Sequence, residues 1–285
     1  MHLKKILKTG AVSVLLCFLM LMQAFAAEKI YDNINDEKIY KDILLNEFAA
    51  NIKEYNDSFD LIYIGNYARS IQQNSYNNNV FKDFYKKPGN DYYALSLRGV
   101  IYRQNLLPFE YLAHANPIPI ASVNYSIKWR ESYYETLNVI SFCKEKCKEF
   151  INKSSSDYEK IAGIHDYMVK EYKHVQSRRP GTTAFRLIES KKGDSMAFTM
   201  LTYQFLTAAG IENKIIYEGP GNEKSKIMIS QKDSGEHYWN IVRLEGKWYH
   251  MDTAPDAPEN AEPTKEFFLK GNTMMKKSYM EHSFL

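Results

Sequence analysis

The sequence predicts an α+β protein in which an apolar helix packs on an antiparallel sheet, and a smaller α+β region precedes this core. The strongest helix pattern is the apolar stretch 196–209, which stops at Gly210. Two segments rich in aromatic residues, 236–244 and 247–252, are separated by only two residues, and this spacing predicts a β-hairpin. Shorter helix and strand patterns follow one another through the first half of the chain.

The first 26 residues have the pattern of a secretory signal peptide. Lys4, Lys5 and Lys8 precede an apolar run from Ala11 to Met22, and the segment ends in the small-x-small sequence 24–26. The apolar run is shorter than a typical membrane-spanning helix. We therefore expect a signal peptide over residues 1–26 and a secreted or cell-envelope location, with an uncleaved N-terminal anchor as the alternative.

Charge argues against two classes of partner. The full chain has 37 basic and 34 acidic residues, a net charge of +3. Removing residues 1–26 takes away three lysines and no acidic residue, so the mature charge falls to zero (34 − 34). Proteins that bind nucleic acid or anionic lipid usually carry a basic excess. We expect no nucleic-acid partner and no stable membrane insertion after cleavage of the signal peptide.

About 260 residues remain, enough for a sizeable core. In the first half, periodicity predicts a helix, three strands and a second helix over 35–55, 61–64, 92–102, 118–129 and 131–152. The serine-rich segment 153–157 breaks the pattern and is typical of a helix cap. We place a boundary here, between an N-terminal α+β region at 27–153 and a core at 154–285.

The motifs that could carry chemistry all lie in this core, in a fixed order. Gly193 and Ser195 stand just before the apolar helix, and Gly210-Ile211 ends it. The segment His237-Tyr238-Trp239-Asn240 follows, and then the segment from Trp248 to Asp252. Each piece is common by itself, but the ordered set is specific.

This ordered set resembles the transglutaminase-like superfamily, which has a papain-like fold, and especially its secreted bacterial members. The family pattern is glycine-x-cysteine before an apolar helix, then a histidine-x-tryptophan-asparagine strand and a strand ending in aspartate. The resemblance covers residues 157–270 and, more loosely, the N-terminal half. It implies a catalytic triad of Ser195, His237 and Asp252, with Ser195 in place of the family's cysteine. It also implies that 266–269 form a closing strand. In an active relative it implies an acyl-enzyme formed from an amide, and no cofactor.

Strand parity predicts part of this triad independently of the resemblance. A two-residue turn between the hairpin strands sets Trp239 opposite Asp252. His237, two residues before Trp239, then projects from the same face and lies diagonally across from Asp252, about 7–8 Å away at the backbone. A one-residue slip in register would place the two on opposite faces. The spacing therefore predicts an acid–imidazole pair of the kind that orients a catalytic histidine.

Each site residue also has a purely structural interpretation. His237 could be an ordinary strand histidine, and Asp252 a turn residue. Ser195 could be a helix N-cap, a role it would share with Asp194. His250 is interpreted as a supporting or exposed residue, and Trp239 as a core or pocket wall.

The two mature cysteines do not replace the missing nucleophile. Cys143 and Cys147 lie four residues apart in a predicted helix well before the core. A disulfide across one helical turn is geometrically awkward, so we expect two free or partly buried thiols. No metal-binding pattern surrounds them, and none is predicted elsewhere.

Three functional hypotheses follow. The leading one is a catalytically impaired or inactive secreted module that keeps a cleft for protein or cell-wall peptide. The second is an active amidase, protease or acyltransferase that uses Ser195 with His237 as general base. The third is a structural envelope protein whose cleft has no role.

Overall fold

The computed structural model describes residues 29–71, 76–87, 89–107, 119–175, 182–218 and 237–274. Its contacts divide the chain into two compact units, residues 1–84 with 99–128, and residues 85–98 with 129–285. The predicted signal peptide lies outside the described residues. The boundary predicted between residues 153 and 154 falls inside the second unit and stays a prediction. Among the described helices, none has both the length and the hydrophobicity needed to cross a bilayer.

The first unit is built on a four-stranded sheet. Its elements are β1 (Lys29–Tyr31), α1 (Glu37–Lys53), β2 (Ser58–Ile64), α2 (Ala68–Ile71), α3 (Tyr76–Lys86), β3 (Leu97–Leu107) and β4 (Ile120–Trp129). The strand order is β1-β2-β4-β3, with β1 parallel to β2 and β2 antiparallel to β4. The predicted helix over 35–55 and the strands over 61–64 and 118–129 are confirmed.

The second unit contains the remaining elements. These are α4 (Asp91–Ser96), α5 (Tyr133–Phe150), α6 (Asp157–Glu171), β5 (Lys173–His174), α7 (Ala184–Ser190), β6 (Lys192–Gly193), α8 (Ser195–Ala208), β7 (Asn213–Glu218), β8 (His237–Leu244) and β9 (Lys247–Met251). Helix α8 packs against β8 of the antiparallel sheet β7-β8-β9 and is flanked by α5, α6 and α7. The predicted α+β fold class, with a helix packed on an antiparallel sheet, is therefore confirmed.

Helix α8 is buried on every side. All twelve residues from Ser195 to Leu206 are buried, which explains why its sequence has no polar face. Helices α5 and α6 instead start with capping boxes, in which Ser132 and Ser156 pair with Glu135 and Glu159. The cap predicted in the serine-rich segment is thus confirmed.

The hairpin of β8 and β9 has the predicted two-residue turn. Glu245 and Gly246 both have positive φ angles, 50° and 77°, as a tight hairpin turn requires. The ladder runs from Leu244 opposite Lys247 to Asn240 opposite Met251. Continued by one residue, this register sets Trp239 opposite Asp252, as the sequence predicts.

Two local predictions are wrong. The strand predicted over 92–102 begins as helix α4, and only the part from Leu97 onward is extended. Five of the six α4 residues are buried, so this segment has no alternation that could distinguish a strand from a helix. The closing strand expected at 266–269 forms turns and bends instead, and the adjacent Lys270 makes a single β-bridge with His250.

Candidate active site

Ser195 is the first residue of α8. The residue before it, Asp194, is the N-cap, and its side chain accepts a hydrogen bond from the backbone N–H of Ala197 at 2.9 Å. The structure therefore gives the capping role to Asp194. Ser195, only 7% exposed, lies one position further on, at the positive end of the helix dipole.

Short parallel strands hold the chain immediately before Ser195. Gly193 in β6 lies opposite His174 in β5. The backbone N–H of Val175 donates to the carbonyl of Gly193 at 3.0 Å, and that of Lys173 donates to the carbonyl of Lys191 at 2.9 Å. These bonds fix the direction from which the backbone enters α8.

His237 and Asp252 form the predicted pair. His237 Nε2 lies 2.5 Å from Asp252 Oδ2. Because an ionised carboxylate only accepts hydrogen bonds, this contact places a proton on Nε2. The other carboxylate oxygen, Oδ1, accepts the backbone N–H of Ala254 at 3.2 Å. Both oxygens are thus engaged, and the carboxylate is held in one orientation.

Two polar contacts join α8 to the elements that carry this pair. The Asn240 amide, three residues after His237, donates to the carbonyl of Thr199 at 3.3 Å. The hydroxyls of Thr202 and Thr253 lie 2.9 Å apart, and Thr253 directly follows Asp252. Ser195 therefore begins a helix that is hydrogen-bonded to the strand of His237 and to the segment after Asp252.

Trp239 is a buried residue that packs beside the imidazole. Its ring stacks on that of His237, with centroids 5.6 Å apart and an interplanar angle of 25°. The indole N–H donates to Nδ1 of His250 at 2.8 Å, so Nδ1 is the acceptor and the proton of neutral His250 lies on Nε2. That nitrogen is 2.8 Å from Asn272 Oδ1. The supporting role predicted for His250 thus has a specific partner, Trp239.

A third histidine, His174, lies close to this group and was missed by the sequence analysis. Its backbone N–H donates to the carbonyl of Ala257 at 2.7 Å, and its ring meets that of Phe198 edge-on at 6.1 Å. Burial lowers the pKa of His174, the Asp252 charge acts in the opposite direction, and His237 adds to the lowering. A two-residue strand has no periodic pattern, so the sequence carries no signal for this position.

Neither of the two mature cysteines has the environment of a reactive thiol. Cys143 and Cys147 are free and buried, as their spacing predicts. Burial raises the pKa of the Cys147 thiol to about 11 and that of Cys143 well above its ordinary value. Within the part of the chain that the structure describes, no group of three or more histidine, cysteine or acidic residues could hold a metal ion.

Comparison with known proteins places a family domain over this site. The profile of the Transglutaminase-like superfamily matches residues 144–253. This part of the chain is therefore a transglutaminase-like domain, and it includes Ser195, His237 and Asp252. The search of curated proteins gave no match.

Three solved structures show a distant likeness. A TGase is 13% identical over 74% of this chain and 55% of its own, with a TM-score of 0.32. The periplasmic domain of TgpA from Pseudomonas aeruginosa is 11% identical over 54% of this chain and 62% of its own, with a TM-score of 0.31. A candidate cysteine protease from Cytophaga hutchinsonii has the same identity, 11%, over 54% of this chain and 64% of its own, with a TM-score of 0.31. The chain thus spans less than two thirds of each, and likeness at this level carries no argument about activity.

Proposed function

We propose that this transglutaminase-like domain protein is secreted, binds a protein or a cell-wall peptide at the site of Ser195, and has little or no acyl-transfer activity. The observation that carries the proposal is the combination of a well-formed His237–Asp252 pair with a hydroxyl at the nucleophile position. The secreted location rests on the signal-peptide pattern of residues 1–26.

The loss of activity follows from the difference between a hydroxyl and a thiol. A helix N-terminus and a neighbouring imidazolium lower the pKa of a cysteine enough to form a reactive thiolate. The same field cannot ionise a serine hydroxyl near neutral pH, because the hydroxyl is far less acidic. Ser195 would need His237 to remove its proton during the attack itself. A site shaped for a thiolate–imidazolium pair does this poorly.

Exposure of the site residues supports a binding role. The His237 side chain is 29% exposed, whereas that of Asp252 is only 1% exposed. The exposed part of the His237 imidazole, which stacks on Trp239, can exchange hydrogen bonds with a peptide amide. A mature surface without net charge fits a peptide partner better than a polyanion.

A second candidate is an active serine amidase, protease or acyltransferase, which the 2.5 Å contact between His237 and Asp252 favours. In this reaction the Ser195 oxygen attacks an amide carbonyl while its proton passes to Nδ1 of His237. The imidazolium then returns that proton to the leaving amine, and an ester to Ser195 remains. Water or a second amine finally releases the acyl group.

A fluorophosphonate probe applied to the mature protein separates the two candidates. The proposal of an impaired site expects no labelling. Labelling that disappears in the Ser195→Ala and His237→Ala variants would overturn it and establish the serine enzyme. Binding is tested by calorimetry with a soluble cell-wall peptide fragment and a peptide of unrelated sequence. Affinity weakened by His237→Ala supports the binding role, because His237 is the partly exposed member of the pair. The absence of a heat change with either ligand would favour the purely structural hypothesis.

A further inference from the structure

The second unit contains another acid–imidazole pair, outside the candidate active site. His165 lies on α6 and Asp256 in the segment after β9, 91 residues later. His165 Nε2 is 3.0 Å from Asp256 Oδ2, and neither side chain has any exposed surface. A fully buried pair of this kind requires partners for all its polar atoms.

Asp256 obtains those partners from the segment that follows it. Its carboxylate accepts the backbone N–H groups of Glu266 at 2.9 Å and of Phe267 at 3.0 and 3.2 Å. It also accepts the hydroxyl of Thr264. The Asp256 carboxylate is the acceptor in every one of these bonds, so it also acts as the acceptor towards His165. The proton in that contact therefore lies on Nε2 of the His165 ring. On its other side, His165 Nδ1 lies 3.3 Å from Asp166 Oδ1.

This network leads directly to the candidate active site. The carbonyl of Phe267, whose N–H is bound by Asp256, accepts the backbone N–H of Asp252 at 3.1 Å. The residue after Asp256, Ala257, accepts the N–H of His174, which lies opposite Gly193 just before Ser195. The segment anchored by His165 and Asp256 therefore contacts the backbone on both sides of the site.

We propose that His165 and Asp256 act as a positioning pair, which holds residues 252–267 in the conformation that presents the Asp252 carboxylate to His237. Neither residue contacts the reacting groups. The inference rests on the proposed function only in taking His237 and Asp252 as the acid–imidazole pair of the site. It adds the groups that fix the geometry of that pair.

Stability alone cannot test this role, because any change that leaves one member of a buried hydrogen-bonded pair without its partner is expected to destabilise the fold. The informative signal is the Nε2–H proton of His237 in ¹⁵N-edited NMR spectra of the native chain. A short hydrogen bond to a carboxylate moves such a proton far downfield. The His237→Gln variant assigns the signal by its absence.

The test compares three variants at a temperature where each is folded. His165→Gln keeps a donor near the position of Nε2, His165→Asn has a shorter amide that cannot reach Asp256, and Glu131→Gln changes another fully buried carboxyl of the same unit. Glu131 accepts the backbone N–H of Phe185 at 3.1 Å and the Thr136 hydroxyl at 2.9 Å, so it matches Asp256 in kind. We expect the downfield signal to persist in His165→Gln and Glu131→Gln and to be lost in His165→Asn.

The other results would each overturn the inference. Retention of the signal in His165→Asn would mean that the position of Asp252 does not depend on the His165–Asp256 pair. Loss of the signal in Glu131→Gln would mean that changing any buried carboxyl of this unit disturbs the hydrogen bond between His237 and Asp252. Absence of the signal from the native chain would remove the pair that is said to be positioned. Fluorophosphonate labelling of Ser195 bears on the proposed function alone, so the two can fail separately.

Discussion

The Asp252 carboxylate is 1% exposed and contacts, at 2.5 Å, a histidine whose side chain is 29% exposed. The acid is therefore held by the protein, while the imidazole of His237 can meet a ligand from solvent. The same arrangement is found in nucleophile–base–orienter triads, where the carboxylate orients the imidazole and the imidazole transfers the proton. Under the proposed function, the group at the nucleophile position of this site is the hydroxyl of Ser195.

Ser195→Cys should restore part of that chemistry. If the site keeps the field of a thiol enzyme, the new thiol will react with iodoacetamide well below pH 8.5, the pKa of a free cysteine. The rate of alkylation against pH measures this. The native chain is the control, since Cys143 and Cys147 are buried thiols with raised pKa values and should label slowly. A profile that rises only near pH 8.5 would contradict the prediction.

Asp252→Asn in the Ser195→Cys background should abolish this gain. An asparagine in place of the carboxylate keeps the shape but no longer stabilises the imidazolium, and in serine proteases the equivalent change lowers turnover about 10⁴-fold. We expect the alkylation profile to move back towards that of a free thiol. As a control, Asp60→Asn changes a carboxyl that accepts a hydrogen bond from Asn124 in the first unit, and its profile should not move.

Asp91→Asn should stabilise the protein at neutral pH. Burial raises the pKa of Asp91 from 3.8 to about 6, so its contribution to stability is full below pH 3.8 and is lost as pH rises through about 6. The difference corresponds to at most about 3 kcal/mol. In urea unfolding, the variant should have a higher free energy of unfolding than the native chain at pH 7.5, and this advantage should be absent at pH 4. The exposed Asp42→Asn should show no such difference; an equal effect at both pH values would refute the assignment.

His174→Gln should make stability less sensitive to acid. Burial lowers the pKa of His174 below 6.5, so the folded protein holds this ring neutral while the unfolded chain takes up a proton. The stability that His174 contributes is present above pH 6.5 and is lost as pH falls towards its folded pKa. We expect the drop in unfolding free energy between pH 7.5 and 5 to be smaller in the variant. An unchanged drop would show that His174 does not carry this dependence.

Gly246→Ala should weaken the hairpin that aligns His237 with Asp252. Gly246 has a φ of 77°, and no atom lies within 4 Å of an added Cβ, so the cost is purely conformational. We expect a loss of about 1 kcal/mol in urea unfolding. Gly271→Ala, at a position with equal space and no positive φ, should cost much less. Equal losses would show that the turn conformation does not matter.

Short-range rules explain what could be predicted. The hairpin turn and the approach of His237 to Asp252 follow from strand parity across two turn residues, which involves only neighbouring positions in the chain. The same kind of local pattern predicted α8 and the N-terminal cap of α6. It failed for α4, because a short buried segment without alternation suits a helix and a strand equally.

By itself, therefore, the sequence determined the fold class, the order of the core elements, the hairpin register and the acid–imidazole pair, because helix and strand periods are properties of adjacent residues. Only the tertiary structure decided that Asp194 caps the helix of Ser195, that His174 lies near Asp252, and that His165 and Asp256 meet in the interior. Residues 91 apart come together through the packing of whole elements, and no spacing in the chain encodes that contact.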